Sequence, residues 1–417
     1  MNSGARVFLG FVMMVAAASA TSAQTPPLPA TVTIDDVLRL LNDRSPRTAA
    51  DRASIDVTAA DRITARTYPN PDVSYGAVHL VSGLSTGAVT QHQIVFDEPL
   101  LLFRQRQARL DAADLNVTAE QARVARTLSD RRLQVRQAFA ALLSRQQQLT
   151  VIQDSLADLQ RVEGVVQGRA EAGERSDYDV ARIETETERV RVEVMNAEAD
   201  VLDASGELAT LLGLPGWSPR ATGDLAPDAA VPTDVDTLWS TAQQRRPSLV
   251  AIRQQQAAAR GGLFLAQRER LPVPAFSAGT QMTQNVAGTS TFFGFSMPLP
   301  FSDRGQGAIA RANAQIRAQD LALEAELAEA HADIERATTV LARRRAALNE
   351  LETRVVQRVP SLRRMSEDAY REGGADILEL LDAMRSAKDI QITHVQQLES
   401  SKLAEDVVVS VTGLDAP

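Results

Sequence analysis

Between residues 103 and 214 the apolar positions follow a helical period rather than an alternating one. Leu128, Val135, Leu142, Leu149 and Leu156 recur every seven residues, with Phe139, Ile152 and Leu159 in the neighbouring seam positions. Such a repeat predicts one apolar stripe along a very long helix, which needs partners over its whole length. The pattern stops at Gly173, where a glycine frees the backbone for a turn. It resumes at Ser176, with Asp177 and Asp179 in the first helical turn, where acidic side chains suit the helix dipole. The stretch therefore predicts two long helices joined at a tight turn. A helix of about 65 residues spans roughly 100 Å at 1.5 Å per residue. No compact globular core holds such a rod, so the pattern implies a coiled coil or the wall of something elongated.

On the N-terminal side of this hairpin the periodicity changes. Thr33, with Asp36 three residues on, predicts an N-cap that opens a helix with apolar Val37, Leu38 and Leu41. Pro46 interrupts it, and a second helical run reaches Thr67. Pro69 and Pro71 then end the helix and favour extended neighbours. Two predicted strands follow, 72–80 and 88–100, around a loop rich in Gly and Ser. The same order recurs further on. Pro46 corresponds to Pro247, Pro69 and Pro71 to Pro272 and Pro274, Pro99 to Pro298, Gly173 to Gly373, and Gly213 to Gly413, at offsets between 199 and 203 residues. Punctuation at nearly one spacing implies a tandem duplication of one unit: helix, β-hairpin, long helical hairpin. The expected organisation is an extended tail at 24–32, a first repeat at 33–214 with its β-hairpin at 72–100 and its tip near 173, a linker at 215–233, and a second repeat at 234–414. The second β-hairpin is expected at 273–300, with strands 273–282 and 289–300, and the second tip near 373. The linker, rich in Pro, Gly and Ala, reads as an ordinary spacer.

Composition narrows the setting. Arg6 precedes an apolar run from Val7 to Ala20, and Ala18-Ser19-Ala20 and Thr21-Ser22-Ala23 both suit cleavage, so residues 1–23 read as a secretory signal peptide. The run is too short to span a bilayer. The predicted strands, by contrast, have the length of a tilted membrane strand. Aromatic residues make up only 4% of the chain, yet Tyr68, Tyr75, Phe96, Phe103, Phe276, Phe292, Phe293, Phe295 and Phe301 lie within or beside these strands, as an aromatic girdle requires. Four strands are too few to enclose a pore, so a membrane location requires an oligomer. A net charge of −9 leaves no basic excess for phosphates, and no nucleic acid is expected as a partner.

Catalytic chemistry finds no foothold in the chain. With no cysteine and with His79, His92, His331 and His394 scattered, no resident metal site or other cofactor is expected. No nucleophile elbow or phosphate loop occurs, so the chain does not read as an enzyme. Glu184, Glu186, Glu188, Glu193 and Glu198 read most simply as a solvated helix face.

Signal peptide, duplication, two short β-hairpins and two very long helical hairpins together resemble the TolC family of outer-membrane efflux proteins. The most specific marks are the tips, from Gly173 through Ser176 to Asp179 and from Tyr370 through Gly373 to Asp382, and the Leu-Leu-Gly213-Leu214 ending. The strand-to-helix joint from Met297 to Gly307, together with Pro360, is similar to the heavy-metal (cobalt-zinc-cadmium) resistance subgroup. The resemblance implies a mainly α protein with a small β part, in which long coiled-coil hairpins form a periplasmic α-barrel. Each chain of a homotrimer would give four strands to a twelve-stranded transmembrane β-barrel in the outer membrane. It implies a passive duct exporting small solutes, heavy-metal cations among them, in a tripartite system with a periplasmic adaptor (membrane fusion protein) and an inner-membrane pump of the resistance-nodulation-division type. By the same resemblance Asp179, Tyr370, Glu379 and Asp382 would form the periplasmic gate, with a Tyr370 to Asp179 hydrogen bond in the closed state and an acidic ring from the other two. Gly173, Ser176, Gly373, Gly374 and Ala375 would be the tips that dock the adaptor. The chain departs from many relatives in lacking a lipidated N-terminal Cys, in its short loops, and in having Ala375 where some place a gating Arg. The competing expectation is a periplasmic coiled-coil scaffold or adaptor without a pore.

Overall fold

A computed structural model of the chain describes residues 27–83, 90–171, 177–228, 230–283 and 288–414. The expected signal peptide and the turn at Gly173 and Ser176 lie outside the described residues. The elements run β1 (Thr31–Val32), α1 (Ile34–Asp43), α2 (Pro46–Arg66), β2 (Asp72–His79), β3 (Thr90–Pro99), α3 (Gln105–Glu171), α4 (Asp177–Leu212), β4 (Arg220–Ala221), α5 (Val235–Arg245), α6 (Pro247–Glu269), β5 (Ala275–Thr283), β6 (Gly288–Ser296), α7 (Gln306–Arg354), a 3-10 turn (Val356–Arg358), α8 (Val359–Glu372) and α9 (Ile377–Thr412). The order α1 to α4 therefore recurs from α5 to α9, with one addition. The descending helix of the second half is broken between α7 and α8, where Pro360 stands in the first turn of α8 and leaves no amide to continue the ladder.

Local chemistry accounts for most of these boundaries. Thr33 caps α1 in a full capping box with Asp36, each side chain bonding the other residue's backbone N–H. Pro46 occupies the first turn of α2 and Pro247 that of α6, so each helix pair is a corner rather than one bent rod. The strand β6 ends at Ser296 rather than at residue 300, because Pro298 and Pro300 cannot donate to a ladder.

Among the described residues α3 is the spine, 67 residues long. Its upper part lies between α2 and α6 and its lower part between α4 and α9, while α7 packs on α6 above and α9 below. Close approach of α6 is permitted by Gly261, where a Cβ would stand 2.5 Å from Leu115 Cδ1. The four strands form one antiparallel sheet in the order β2-β3-β5-β6. Each strand joins a helix of the series α2-α3-α6-α7, so strands and helices keep one lateral order.

At mid-length the two halves build separate cores. Val37 and Leu41 of α1 pack with Val135, Phe139 and Leu142 of α3 and Leu208 and Leu212 of α4. Leu238 and Ala242 of α5 pack with Ile334 and Leu341 of α7 and Val408 of α9. The linker is not a passive spacer. Its β4 pairs in parallel with β1, Gln146 of α3 bonds both the N–H and the C=O of Ala221, and Trp217 donates to the Pro29 carbonyl at 2.9 Å. Trp217, Ala221 and Leu225 are buried in the first core. A composition of Pro, Gly and Ala gave little sign of this, because the anchoring combines backbone bonds at Ala221 with the two buried side chains of Trp217 and Leu225.

Gly213 and Gly413 end α4 and α9 in left-handed conformation, each followed by a leucine whose N–H returns to the helix five residues back. A Cβ at Gly413 would stand 2.7 Å from the Arg245 carbonyl oxygen. Gly413→Ala is expected to cost about 1–2 kcal/mol for the left-handed backbone alone and more for the clash. Gly206→Ala, in mid-helix with nothing within 4 Å of the new methyl, is expected to gain about 0.4–1 kcal/mol. Thermal melting followed by helical circular dichroism checks both signs.

Candidate functional site: the hairpin tips and the strand sheet

The lower end closes on an apolar cluster from four helices. Leu159, Val162 and Val166 of α3, Ile183 and Val190 of α4, Tyr370 of α8, and Ile377, Leu380, Leu381 and Met384 of α9 are packed together. The two hairpins of the chain are thus in contact along the last turns of their helices. Gly373 turns the second tip at φ +80, with its N–H and that of Gly374 returning to the last turn of α8, and Ala375 follows half-buried. Asp376 then caps α9 by accepting the Glu379 amide at 2.8 Å.

Above this cluster the hairpins are tied by charge. Glu186 of α4 is 3% exposed and accepts from Arg385 of α9, through Nε at 2.7 Å and also through Nη2, and from Arg189 at 2.6 Å. Glu193 accepts from Arg189 at 2.6 Å and from the buried Lys388 of α9 at 2.5 Å. Asp158 of α3 accepts from Arg363 of α8 and from Arg161. Arg169 of α3 donates to the Arg371 carbonyl at 2.6 Å. Burial works against the Glu186 carboxylate, but the hydrogen bonds from Arg385 and Arg189 outweigh it and hold its pKa at about 2. The expectation of a solvated glutamate face is therefore corrected at Glu186 and Glu193. Both lie three or four residues from Arg189 on α4, a spacing the sequence displays. Their partners on α9 are nearly two hundred positions away in the chain, and that hid their role.

The expected gate residues separate into two groups. Glu379 and Asp382 are exposed on α9, on the face opposite Leu380, Leu381 and Met384. Asp382 stands close enough to Arg385 to act on its charge. Tyr370 is 2% exposed within the apolar cluster, and Asp179 is half-buried in the first turn of α4.

At the other end, pairing in register puts directly opposed residues on the same face of the sheet. One face carries the rows Val73, Phe96, Ala278, Phe293 and Tyr75, Ile94, Thr280, Thr291, with Phe276 and Phe295 beneath. The other carries Asp72, Asp97, Ser277, Gly294 and Gly76, Gln93, Gln281, Ser290, with Asp97 accepting the Ser277 hydroxyl. Phe293 and Phe295 are 76% and 63% exposed. No helix lies across either face among the described residues. The histidines are engaged locally: His92 with the Tyr75 hydroxyl at 2.8 Å, His79 with Thr90 at 2.9 Å, His394 with Glu352 at 2.9 Å, and His331 edge-on to Trp239. Among the described residues no group of three His, Cys, Asp or Glu side chains is placed to hold a metal ion, and no helix is long and apolar enough to cross a membrane.

A four-stranded sheet, rich in aromatics on one face and in Asp, Gln and Ser on the other, standing on helices of this length, has the fold of an outer-membrane channel. Two solved structures share it across 91% of this chain: the outer-membrane channel OprN, with a TM-score of 0.73 at 18% identity over 89% of that chain, and CusC, with 0.72 at 14% over 92%. Residues 37–214 match the family model for outer membrane efflux protein. The cobalt-zinc-cadmium resistance protein CzcC of Cupriavidus metallidurans is 25% identical over 389 residues, 92% of this chain and 90% of that protein. Over residues 37–214 the chain thus carries the outer membrane efflux protein pattern, and across nine-tenths of its length it is similar to channels of that kind.

The charged tie between the hairpins is open to a pH test. Its Glu186 contribution is complete above the ordinary carboxyl pKa of 4.5 and is lost as pH falls through about 2, because the folded state holds the carboxylate ionised. Glu186→Ala is expected to cost about 1.5–3 kcal/mol, seen as faster hydrogen exchange over residues 377–384, and Glu186→Gln is expected to remove the loss of protection in acid. Unchanged exchange in both variants would show that the pair does not hold the tip.

Proposed function

We propose that three copies of this chain close one twelve-stranded barrel and one helical tunnel. This duct conducts solutes from a periplasmic adaptor and a resistance-nodulation-division pump across the outer membrane. The observation that carries this reading is the sheet itself. Among the described residues the outer edges of its terminal strands β2 and β6 are unpaired, which in lipid is untenable unless another copy completes the ladder. The aromatic face then meets lipid and the Asp, Gln and Ser face meets water. A scaffold without a pore has no use for a sheet bare on both sides. The cargo that fits the similarity to CzcC is divalent heavy-metal cations, passed on by luminal carboxylates without a resident ligand set.

At the periplasmic end Glu379 and Asp382 line the exposed face of α9 and, tripled by symmetry, form an acidic ring that favours cations. Asp179 and Tyr370 are assigned to the closed-state contact between hairpins, in which Ala375 leaves one family link unmade. The turns at Gly173 and Ser176 and at Gly373, Gly374 and Ala375 face the adaptor.

Phe293→Arg, a charge on the lipid face, is expected to cost about 2–4 kcal/mol of membrane stability, whereas Gln281→Arg on the luminal face is tolerated. Outer-membrane fractionation and the heat-modifiable oligomer band read the difference, and a wild-type protein recovered as a detergent-free monomer would end the duct reading. In planar bilayers the double variant Glu379→Ala, Asp382→Ala is expected to lose cation selectivity. Tyr370→Phe with Asp179→Ala is expected to raise conductance. Unchanged currents in both would remove these four residues from the gate.

A further inference from the structure

Water-facing strand positions in a barrel are mostly polar, and the polar face of this sheet, which also holds Val78 and Val95, carries one aromatic side chain among the described residues. The row Ser74, Val95, Gly279, Phe292 crosses it between the Gln93, Gln281, Ser290 row on one side and the Asp72, Asp97, Ser277 row on the other. Phe292 is only partly exposed although its neighbour Phe293, on the opposite face, is 76% exposed. The reason is Gly279. A Cβ there would stand 2.5 Å from Phe292 Cζ, 2.8 Å from Cε1 and 2.6 Å from the Ile94 carbonyl oxygen. The end of the ring therefore lies over the bare backbone of β5, where only a glycine leaves room for it, and the rest stays partly exposed. An aromatic ring covering a cross-strand glycine stabilises the pair, yet the lipid face, rich in aromatics, is where such a ring would cost nothing in hydration.

We propose that Phe292 is a specificity-determining contact of the barrel lumen. Three such rings at one level, a row away from the Asp72 and Asp97 carboxylates, retain cations that also carry an aromatic or apolar surface, and leave compact hydrated ions untouched. This rests on the duct reading, which makes the polar face luminal. The row of carboxylates draws cations to this level, and the exposed part of the ring adds an attraction that only a partly dehydrated cation can use.

Single-channel recording with tetraphenylphosphonium and with magnesium, each added on the strand side, tests the assignment. Wild-type channels are expected to show transient block by tetraphenylphosphonium, and Phe292→Ser to shorten its residence two- to fivefold, the ratio an exposed cation–π contact supplies. Phe292→Tyr is expected to retain the block, and magnesium to act alike on all three. Gly279→Ala, which has to tip the ring off the wall, is expected to lower the open conductance. Tetraphenylphosphonium residence unchanged in Phe292→Ser, or absent from conducting wild-type channels, overturns the role of Phe292 alone. Absence of any conductance from assembled wild-type protein overturns the duct reading instead.

Discussion

A helix of 67 residues must find an apolar neighbour at every turn, and the whole molecule is arranged around meeting that demand for α3. No single partner is long enough. The upper turns are covered by α2 and α6 and the lower ones by α4 and α9, so the hand-over between pairs takes place at mid-length. There the tail strand β1, the linker strand β4, Trp217 and α1 gather around Val135, Phe139 and Leu142. The girdle of short elements is thus the place where a four-helix wall changes membership, and the linker is bound tightly because it covers that seam.

The same continuity links the membrane end to the periplasmic end. Because β3 leads directly into α3 and β6 into α7, the lateral order of strands fixes the lateral order of helices. A charge in a strand row and a charge on a helix face are therefore placed by one register.

Much of this wall was legible in the chain. The heptad of Leu128, Val135 and Leu142, the capping box at Thr33 and the proline corners at Pro46 and Pro247 are local signals with local causes, and each appears where its residues stand. What escaped was set by distant neighbours. Glu186 looks like any helix-surface glutamate until α9 brings Arg385 against it, and a linker of small residues betrays nothing of the backbone bonds that anchor it. The break between α7 and α8 had a visible cause in Pro360, but its counterpart helix α3 has no proline there, and the apparent symmetry of the halves masked it. Phe292 and Phe293 are adjacent in sequence and equal in composition. Only the pleat, which sends them to opposite faces, and the glycine opposite Phe292 distinguish them.

The tip shows how the apolar cluster and the charges divide their work. Tyr370, Leu380 and Ile183 exclude water but are non-directional, and apolar surfaces tolerate sliding. Glu186 with Arg385 and Asp158 with Arg363 are directional and fix the depth at which one hairpin sits against the other. Each links the first hairpin to the second, so any separation of α8 and α9 from α3 and α4 has to break these pairs as well as open the cluster. Arg385 also sits beside Asp382. Releasing Arg385 from Glu186 would free its charge to swing toward Asp382, so the state of the tie and the charge on that face of α9 are coupled through one guanidinium. With Ala375 contributing no charge at the turn itself, the holding of the hairpins falls to ion pairs two to four helical turns farther along α9, where the surrounding side chains shield them better from water.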